Sequence, residues 1–246
     1  MEMKVGYGSD IGRKRSQNQD NFAAHPELGL FMVADGMGGH RGGETASRIA
    51  VETVSEQIKE AHALKDWNPR SVLTEVIQSA NQAIFDTSAK NVELQGMGTT
   101  VIALLIHENG GEKTLNIGHV GDSRCYYFSD GQIWQLTRDH SLVQEKLRAG
   151  LITRSDLKTD RMKNVITRSV GFEPAVNVEL YEKKLESGDT FLICSDGLSG
   201  LVEDPQLLAI VSQHPGEPQE AVNALIAKAN ENGGDDNITV ILVQVT

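Results

Sequence analysis

Cysteine is scarce in this 246-residue chain, which contains only Cys125 and Cys194. Two cysteines are too few for a disulfide framework, so a reducing cytoplasm is the expected compartment. The N-terminal residues include no hydrophobic stretch suited to a signal peptide. The longest strongly apolar run, residues 101–106, is far too short to cross a bilayer, so no membrane partner is expected.

Positive charge is also in short supply. The chain has 23 Lys and Arg against 34 Asp and Glu, which gives a net charge of −11. Binding of nucleic acid is driven by basic surface, so nucleic acid is not an expected partner. Residues 138–168 are an exception, because they hold eight basic residues against four acidic ones. The charge count alone favours a solvated helical face, and the sharper hypothesis is an anionic ligand that approaches this segment.

Common signatures of phosphate and zinc chemistry are missing as well. The glycine-rich stretch 36–43, GMGGHRGG, lacks the Lys-Ser/Thr ending of a P-loop, and Arg41 breaks the G-x-G-x-x-G spacing. Neither cysteine has an arginine six residues later, as a cysteine-nucleophile phosphatase requires, and no G-x-S-x-G elbow occurs. The seven histidines form no H-x-x-x-H pair and the cysteines no C-x-x-C, so the sequence predicts no zinc cage.

Hydrophobic patterning predicts strands together with amphipathic helices. Apolar, β-branched runs indicate buried strands at residues 28–34, 99–106, 114–120, 125–128, 132–136, 190–194 and 238–245. Apolar residues at helical spacing predict helices over 44–61, 71–90 and 219–230. Between residues 99 and 136 the connections are too short for helical crossovers, so this part must be largely antiparallel. Without repeats or linkers, residues 1–246 are expected to form one domain of sheets covered by helices.

Five aspartates lie beside glycines or at the ends of predicted strands. They are Asp20, Asp35, Asp122, Asp196 and Asp236. Each alone would most simply be a turn residue, but five converging carboxylates would repel one another unless a cation lay among them. Oxygen ligands suit Mg²⁺ or Mn²⁺ rather than zinc. Asp35 is therefore predicted to hold a metal that attracts phosphate, and the carbonyl of Gly36 is expected to reach the same ion.

Six short motifs follow one another along the chain: RSQNQD, VADGMGG, MGTT, HVGDSR, SDGL and GGDDNITV. In this order and at these separations they resemble the metal-dependent protein phosphatase family of the protein phosphatase 2C type, in its compact bacterial form. The resemblance covers nearly the whole chain. It implies an α+β fold, a four-layer α-β-β-α sandwich of two antiparallel sheets flanked by helix pairs.

The resemblance also implies a reaction, in which a hydroxide that bridges two Mg²⁺ or Mn²⁺ ions hydrolyses phosphoserine and phosphothreonine in proteins. The metal ligands that it implies are Asp20, Asp35, Gly36, Asp122, Asp196 and Asp236. Asp35 would bridge the two tightly bound ions, and Asp122 would bind a third, weaker ion together with Asp196. Arg15 would clasp the substrate phosphate through a forked pair of hydrogen bonds. Residues 138–170 would form the family's flap beside the active site.

Two positions depart from the pattern of eukaryotic relatives. Gln19 stands where many relatives have a glutamate that ligates a metal, and Met37 stands where a histidine follows the Asp-Gly pair. His40 is the nearest substitute as a catalytic general acid, and the alternative is an ordinary surface histidine. The expected partners are phosphorylated proteins, the products of Ser/Thr kinases, and the chain is expected to be a monomer.

Two alternative functions remain open at this point. The first is a sporulation-type regulatory serine phosphatase of the same superfamily, which lacks a flap, and the basic, helix-compatible stretch 141–158 argues against it. The second is an inactive metal-dependent module that binds phosphoproteins. The acids retained at positions 35, 196 and 236 argue against that module.

Overall fold

Two antiparallel sheets form the centre of the computed structural model, which describes residues 2–39, 41–64 and 67–246. The strands within these residues are β1 (Met3–Asp10), β2 (Asp20–His25), β3 (Leu30–Met37), β4 (Gly98–Thr99), β5 (Val101–Asn109), β6 (Glu112–Val120), β7 (Arg124–Ser129), β8 (Gln132–Gln135), β9 (Glu179–Lys184), β10 (Thr190–Cys194) and β11 (Ile238–Val245). The α-helices are α1 (Gly42–His62), α2 (Pro69–Lys90), α3 (Leu142–Arg148), α4 (Asp196–Ser199), α5 (Asp204–Gln213) and α6 (Pro218–Glu231). None of the helices described is both long and apolar enough to span a bilayer.

Strand order separates the chain into two sheets. The first sheet has the order β1-β11-β10-β7-β8, and the second has the order β2-β3-β5-β6-β9 with β4 paired to β3. Every pairing among these strands is antiparallel, as the short connections predict. The hairpin between β7 and β8 turns at Asp130 and Gly131, which both have positive φ.

Alternating side chains build three hydrophobic layers around the sheets. In β3, Phe31 packs between the two sheets, whereas Met32 packs against α1 and α2. In β10, Ile193 faces the second sheet and Leu192 faces α5 and α6. The order helix pair, sheet, sheet, helix pair is the α-β-β-α sandwich that the resemblance implied. Both cysteines are buried and free, consistent with the absence of a disulfide framework.

Strand β1 was missed by the hydrophobic pattern because glycine occupies two of its positions. A Cβ at Gly6 would lie 2.3 Å from the carbonyl carbon of Pro218, and one at Gly8 would lie 3.0 Å from Ile226. Helix α6 therefore packs directly on the backbone of β1. The pattern missed β2, β9 and α5 too; β9 has the sequence ELYEKK, whose charges fit a sheet edge.

The chain passes from one sheet to the other at residues 121–123. β6 belongs to the second sheet and β7 to the first, so this turn crosses the edge of the sandwich. Gly121 has a φ of 109°, and a Cβ there would lie 2.6 Å from the Thr100 side chain. Only glycine can make the crossing this close to the second sheet.

Candidate metal centre

The five predicted aspartates come from both sheets at one end of the sandwich. Asp20 and Asp35 are paired in register on β2 and β3. Asp122 lies in the crossing turn after β6, Asp196 is the first residue of α4, and Asp236 lies two residues before β11. The packing of one sheet on the other brings these residues, which are up to more than 200 positions apart in sequence, close enough to shift the pKa of Asp35. We call this group the carboxylate cluster.

Asp35 lies within a strand rather than at its end. The sequence ended this strand at residue 34, but β4 pairs with Gly36 and Met37 and continues β3 to Met37. The backbone of Asp35 is held by Thr100, whose Oγ1 accepts from its N–H at 2.9 Å and whose N–H donates to its carbonyl at 2.8 Å. The backbone that carries the Asp35 carboxyl is thus held through both its N–H and its C=O.

Gly36 is required by a close approach rather than by a turn. A Cβ at Gly36 would lie 2.1 Å from the carbonyl oxygen of Gly43 at the start of α1 and 2.6 Å from that of Gln19. The reciprocal clash of a Cβ at Gly43 with Gly36 shows that the two backbones are in contact. Within the glycine-rich stretch the positive φ occurs at Gly38, so the left-handed conformation lies two residues after this close approach.

Asp20 is buried and only half satisfied. Its Oδ2 accepts hydrogen bonds from Ser195 Oγ at 2.8 Å and Thr239 Oγ1 at 2.7 Å. Its Oδ1 is buried without a hydrogen-bond partner among the described residues. Burial raises the pKa of Asp20 to about 6, against the lowering effect of these two hydroxyls. An unpartnered buried carboxylate oxygen is a position for a cation or a water.

The other carboxyl groups of the cluster destabilise one another's charged forms. Burial raises the pKa of Asp35 well above its usual range, and the neighbouring Asp20 and Asp196 raise it further. Burial and then Asp196 raise the pKa of Asp122 to about 8. The pKa of Asp196 is raised by burial and by Asp236, and a hydrogen bond with Asp35 opposes that shift. Groups held in such repulsion fit divalent cations, because oxygen-only donors suit hard ions.

Arg15 lies at the rim of the cluster. Its Nη2 is 2.5 Å from Asp236 Oδ2, and its side chain is 49% exposed, so the guanidinium contacts both the cluster and solvent. The loop that carries it is fastened by Asn237, whose Nδ2 donates to the carbonyls of Ile11 and Gln17 at 3.0 Å each. Asn237 Oδ1 accepts from the N–H of Gln19 at 2.8 Å. One buried amide thus joins the Arg15 loop to the strand after Asp236.

Gln19 and Met37, the two positions that depart from the eukaryotic pattern, have different surroundings in the structure. The Gln19 amide donates to the carbonyl of Gly38 at 3.4 Å, so it contributes a neutral group beside the cluster. Met37 is half-buried at the end of β3. His40, the predicted general acid, lies outside the described residues.

Sequence reasoning missed several residues that hold the cluster in place. They are Thr99, Thr100, Ser195, Asn237 and Thr239. All of them lie inside the motifs MGTT, SDGL and GGDDNITV, so the signal was present without an assigned role. A polar residue directly beside a candidate ligand was the available clue.

A second polar cluster, also missed, lies behind the crossing turn. His119, His140 and Glu179 each have a ligand-type atom within 4.8 Å of the others, although the sequence predicted no zinc cage. We call this the histidine cluster. Antiparallel pairing of β6 with β9 sets His119 opposite Glu179, which no local sequence spacing reveals.

Comparison with known proteins gives a consistent result. The family model for protein phosphatase 2C matches residues 8–228. The chain is 38% identical over 246 residues to a serine/threonine phosphatase stp of Listeria monocytogenes, covering 98% of this chain and 96% of that protein.

Solved structures are similar over the whole length. The Mycobacterium tuberculosis serine/threonine phosphatase PstP/Ppp has a TM-score of 0.90 and 31% identity, covering 100% of this chain and 99% of that one. A PstP catalytic domain in complex with two manganese ions has a TM-score of 0.88 and 31% identity, with 99% of each chain covered.

Proposed function

Because the chain belongs to the protein phosphatase 2C family, we propose that it is a metal-dependent phosphatase that removes phosphate from serine and threonine residues of proteins. The observation that carries this proposal is the carboxylate cluster, in which buried and half-buried acids raise one another's pKa values. Such a cluster is unfavourable without cations and favourable with them.

Mg²⁺ or Mn²⁺ fits the donor set, which consists of carboxylate oxygens with the Gly36 carbonyl beside them. Asp35 would contact two tightly held ions, and Asp196, Asp236 and Gly36 would complete their protein ligands. The unpartnered Oδ1 of Asp20 supports its role as a direct or water-mediated ligand. Asp122 would contribute to a third, weaker site. When bound, two such ions lower the pKa of a shared water and neutralise charge on phosphate.

The protein's own residues would bind and orient the phosphate. Arg15 is exposed on one side and paired with Asp236 on the other, so its free N–H groups can form a fork on two non-bridging oxygens. A pairing between Asp236 and a metal would weaken its hold on Arg15 and free more donors for substrate. Ser195 and Thr239 keep Asp20 in one orientation.

The structural context supports further parts of the proposal. Residues 138–170 contain α3 and return to the second sheet, where Val170 pairs with Thr99 two residues before β5. This position beside the Asp35 strand fits the proposed flap within a single domain of residues 1–246. We propose products of Ser/Thr kinases as substrates, in the cytoplasm, and a monomeric enzyme. The presence of α3 favours this function over a flapless sporulation-type phosphatase.

Hydrolysis of p-nitrophenyl phosphate with Mn²⁺, with and without chelator, tests the proposal. We expect activity that the chelator abolishes and added Mn²⁺ restores. Phosphothreonine and phosphoserine peptides should be dephosphorylated far faster than phosphotyrosine peptides of the same sequence. Activity that is indifferent to chelator would overturn the metal mechanism, and binding of phosphopeptides without turnover would favour the inactive module instead.

A further inference from the structure

The histidine cluster touches the backbone on both sides of Asp122. His119 Nε2 is 2.9 Å from the carbonyl oxygen of Ser123, so Nε2 carries the proton and donates it. His140 Nδ1 lies 3.0 Å from the N–H of Gly121 and accepts from it. The two rings lie 4.8 Å apart between centroids. Two buried imidazoles therefore hold the residues before and after one aspartate.

His140 and Gly121 are joined twice. Besides the side-chain bond, the backbone N–H of His140 donates to the carbonyl of Gly121 at 2.8 Å. The turn is held from its other side by Thr100, whose Oγ1 shares a 2.7 Å hydrogen bond with Ser123 Oγ. The peptide groups flanking Asp122 thus have fixed partners in both directions, and its carboxyl is aimed by them.

The protonation of the His140 ring follows from its neighbours. Because Nδ1 accepts from a backbone N–H, Nε2 must carry the proton of a neutral ring. Nε2 then donates to Glu179 Oε1 at 3.3 Å, and Glu179 Oε2 accepts from the Tyr181 hydroxyl at 2.6 Å. The Arg168 guanidinium lies 3.1 Å from Nε2, but it can only donate and so forms no hydrogen bond with a protonated Nε2. It donates instead to the Asn177 carbonyl at 3.3 Å and lies 3.8 Å from Glu179.

His140 also lies where the proposed flap joins the rest of the protein. Its carbonyl accepts from the N–H of Thr167 at 2.8 Å, and the next residue, Ser141, pairs with Ile166. Arg168 follows Thr167 directly, in the segment where the chain leaves the flap. His140 therefore connects residues 141–166 directly to Gly121 of the crossing turn.

We propose that His140 is a positioning residue, which sets the Gly121–Ser123 turn and so the carboxyl of Asp122, and which couples that carboxyl to the flap. The inference rests on the proposed function for its catalytic consequence only. The structural part of the proposal is the hydrogen bond from the Gly121 N–H to His140 Nδ1, which can be tested without measuring activity.

The residue types of the histidine cluster also match a zinc site, but its hydrogen bonds oppose one. A metal on His140 Nε2 would require the proton to move to Nδ1, where the Gly121 N–H already points. The Arg168 guanidinium places a positive charge 3.1 Å from the same nitrogen. Both features fit a neutral hydrogen-bonding ring.

Two substitutions separate positioning from simple packing. His140→Asn keeps an acceptor at the position of Nδ1 but loses the link to Glu179, whereas His140→Phe keeps the ring shape and loses both bonds. Hydrogen exchange of the Gly121 amide, measured by NMR on the metal-free protein, should be within a factor of two or so of wild type in His140→Asn. It should be about tenfold faster in His140→Phe, as expected for one lost hydrogen bond.

The second readout is Mn²⁺ dependence. We expect His140→Phe to need about tenfold more Mn²⁺ for half-maximal hydrolysis of p-nitrophenyl phosphate, while calorimetry shows the tight ions still bound. His107→Phe, the same change on β5 where the ring packs at a tilt against Trp67, is the matched control and should alter neither readout.

The outcomes are decisive in each direction. Wild-type exchange at Gly121 in His140→Phe overturns the proposal. If His140→Phe does not fold, loss of Gly121 protection in His140→Asn overturns it equally. Imidazole ¹⁵N shifts that show a proton on Nδ1, or Zn²⁺ bound to wild type but not to His140→Asn, would also overturn it. Because the exchange readout uses no substrate, an inactive wild type would refute the proposed function and leave this test intact.

Discussion

The carboxylate cluster and the histidine cluster lie on either side of the same turn and differ in how their charges are balanced. In the carboxylate cluster, acids face acids, burial raises their pKa values, and Asp20 Oδ1 has no partner among the described residues. In the histidine cluster, Glu179 faces Arg168 and a neutral His140, and both nitrogens of that ring have partners. The carboxylate cluster is thus unfavourable without cations. In the histidine cluster the charges are balanced within the protein, although His119 Nδ1 is buried without a hydrogen-bond partner among the described residues.

This difference distinguishes a binding site from a support. Residue types alone would favour the histidine cluster as a metal site, because imidazole and carboxylate are common ligands. The hydrogen bonds reverse that ranking. The carboxylate cluster gathers like charges that repel one another, whereas Glu179 of the histidine cluster is balanced by Arg168 and both ring nitrogens of His140 have neighbours in the protein.

The largest effect is expected from Asp35→Asn or Asp196→Asn. Each removes a charge that the ions require, so turnover should fall by about 1,000-fold or more and Mn²⁺ affinity should weaken. Because a repelled buried charge is removed, the metal-free variant should melt at a higher temperature than metal-free wild type. Calorimetric titration and thermal melts with and without Mn²⁺ measure both effects.

Asp130→Asn is the matched control for these substitutions. Asp130 lies in the exposed β7–β8 turn with a φ of 49°, a conformation that asparagine adopts readily. Its activity and metal binding should equal those of wild type. Unchanged turnover in Asp35→Asn would contradict the metal centre.

The next effect is on stability and comes from His119 in the second cluster. Burial lowers its pKa from 6.5 to about 4, and the nearby His140 lowers it further against Ser123, Asp139 and Glu179. The unfolded chain therefore binds the proton first. The stability is complete above pH 6.5 and is lost as the pH falls towards 4, by about 3 kcal/mol over that window.

Urea unfolding at several pH values, compared between wild type and His119→Gln, isolates this contribution. The wild type should lose about 2 kcal/mol more than the variant between pH 7 and pH 5. Parallel stability curves for the two proteins would show that His119 takes up its proton equally well when folded.

Asp122→Ala tests the residue at which the two clusters meet. It should retain the two tight ions and lose roughly tenfold in activity, with partial rescue by millimolar-scale metal, because a site with few protein ligands binds weakly. Activity against Mn²⁺ concentration and the melting temperature are the measurements. Full activity at low Mn²⁺ with wild-type stability would make Asp122 a simple turn residue.

The smallest effect is expected from Arg15→Lys, which keeps the charge beside Asp236 but loses the planar fork. The KM for a phosphothreonine peptide should rise by about fivefold, with a smaller fall in kcat, if Arg15 mainly binds ground-state phosphate. Steady-state kinetics separate the two parameters. A normal KM with a collapsed kcat would instead assign Arg15 to transition-state stabilisation.

Much of the fold was predictable because long apolar runs and apolar residues at helical spacing indicate which strands and helices are buried. β10 and β11 were predicted with their observed bounds, and α1, α2 and α6 to within two residues at each end. The family resemblance, the sandwich and the antiparallel sheets are confirmed. The roles of Arg15, His40 and the individual metal ligands stay predictions, as does the single domain.

The sequence by itself determined which residue types carry the chemistry, because ordered motifs with aspartate beside glycine are local facts of the chain. Tertiary structure alone decided which groups are satisfied. The sequence contains Asp20, Ser195 and Thr239 at distant positions, but only the packing of two sheets leaves one oxygen of Asp20 unpartnered while it bonds the other. Only the pairing of β6 with β9 sets His119 opposite Glu179. Charge balance in a buried site depends on distances through space, and those are fixed when the sheets close on each other.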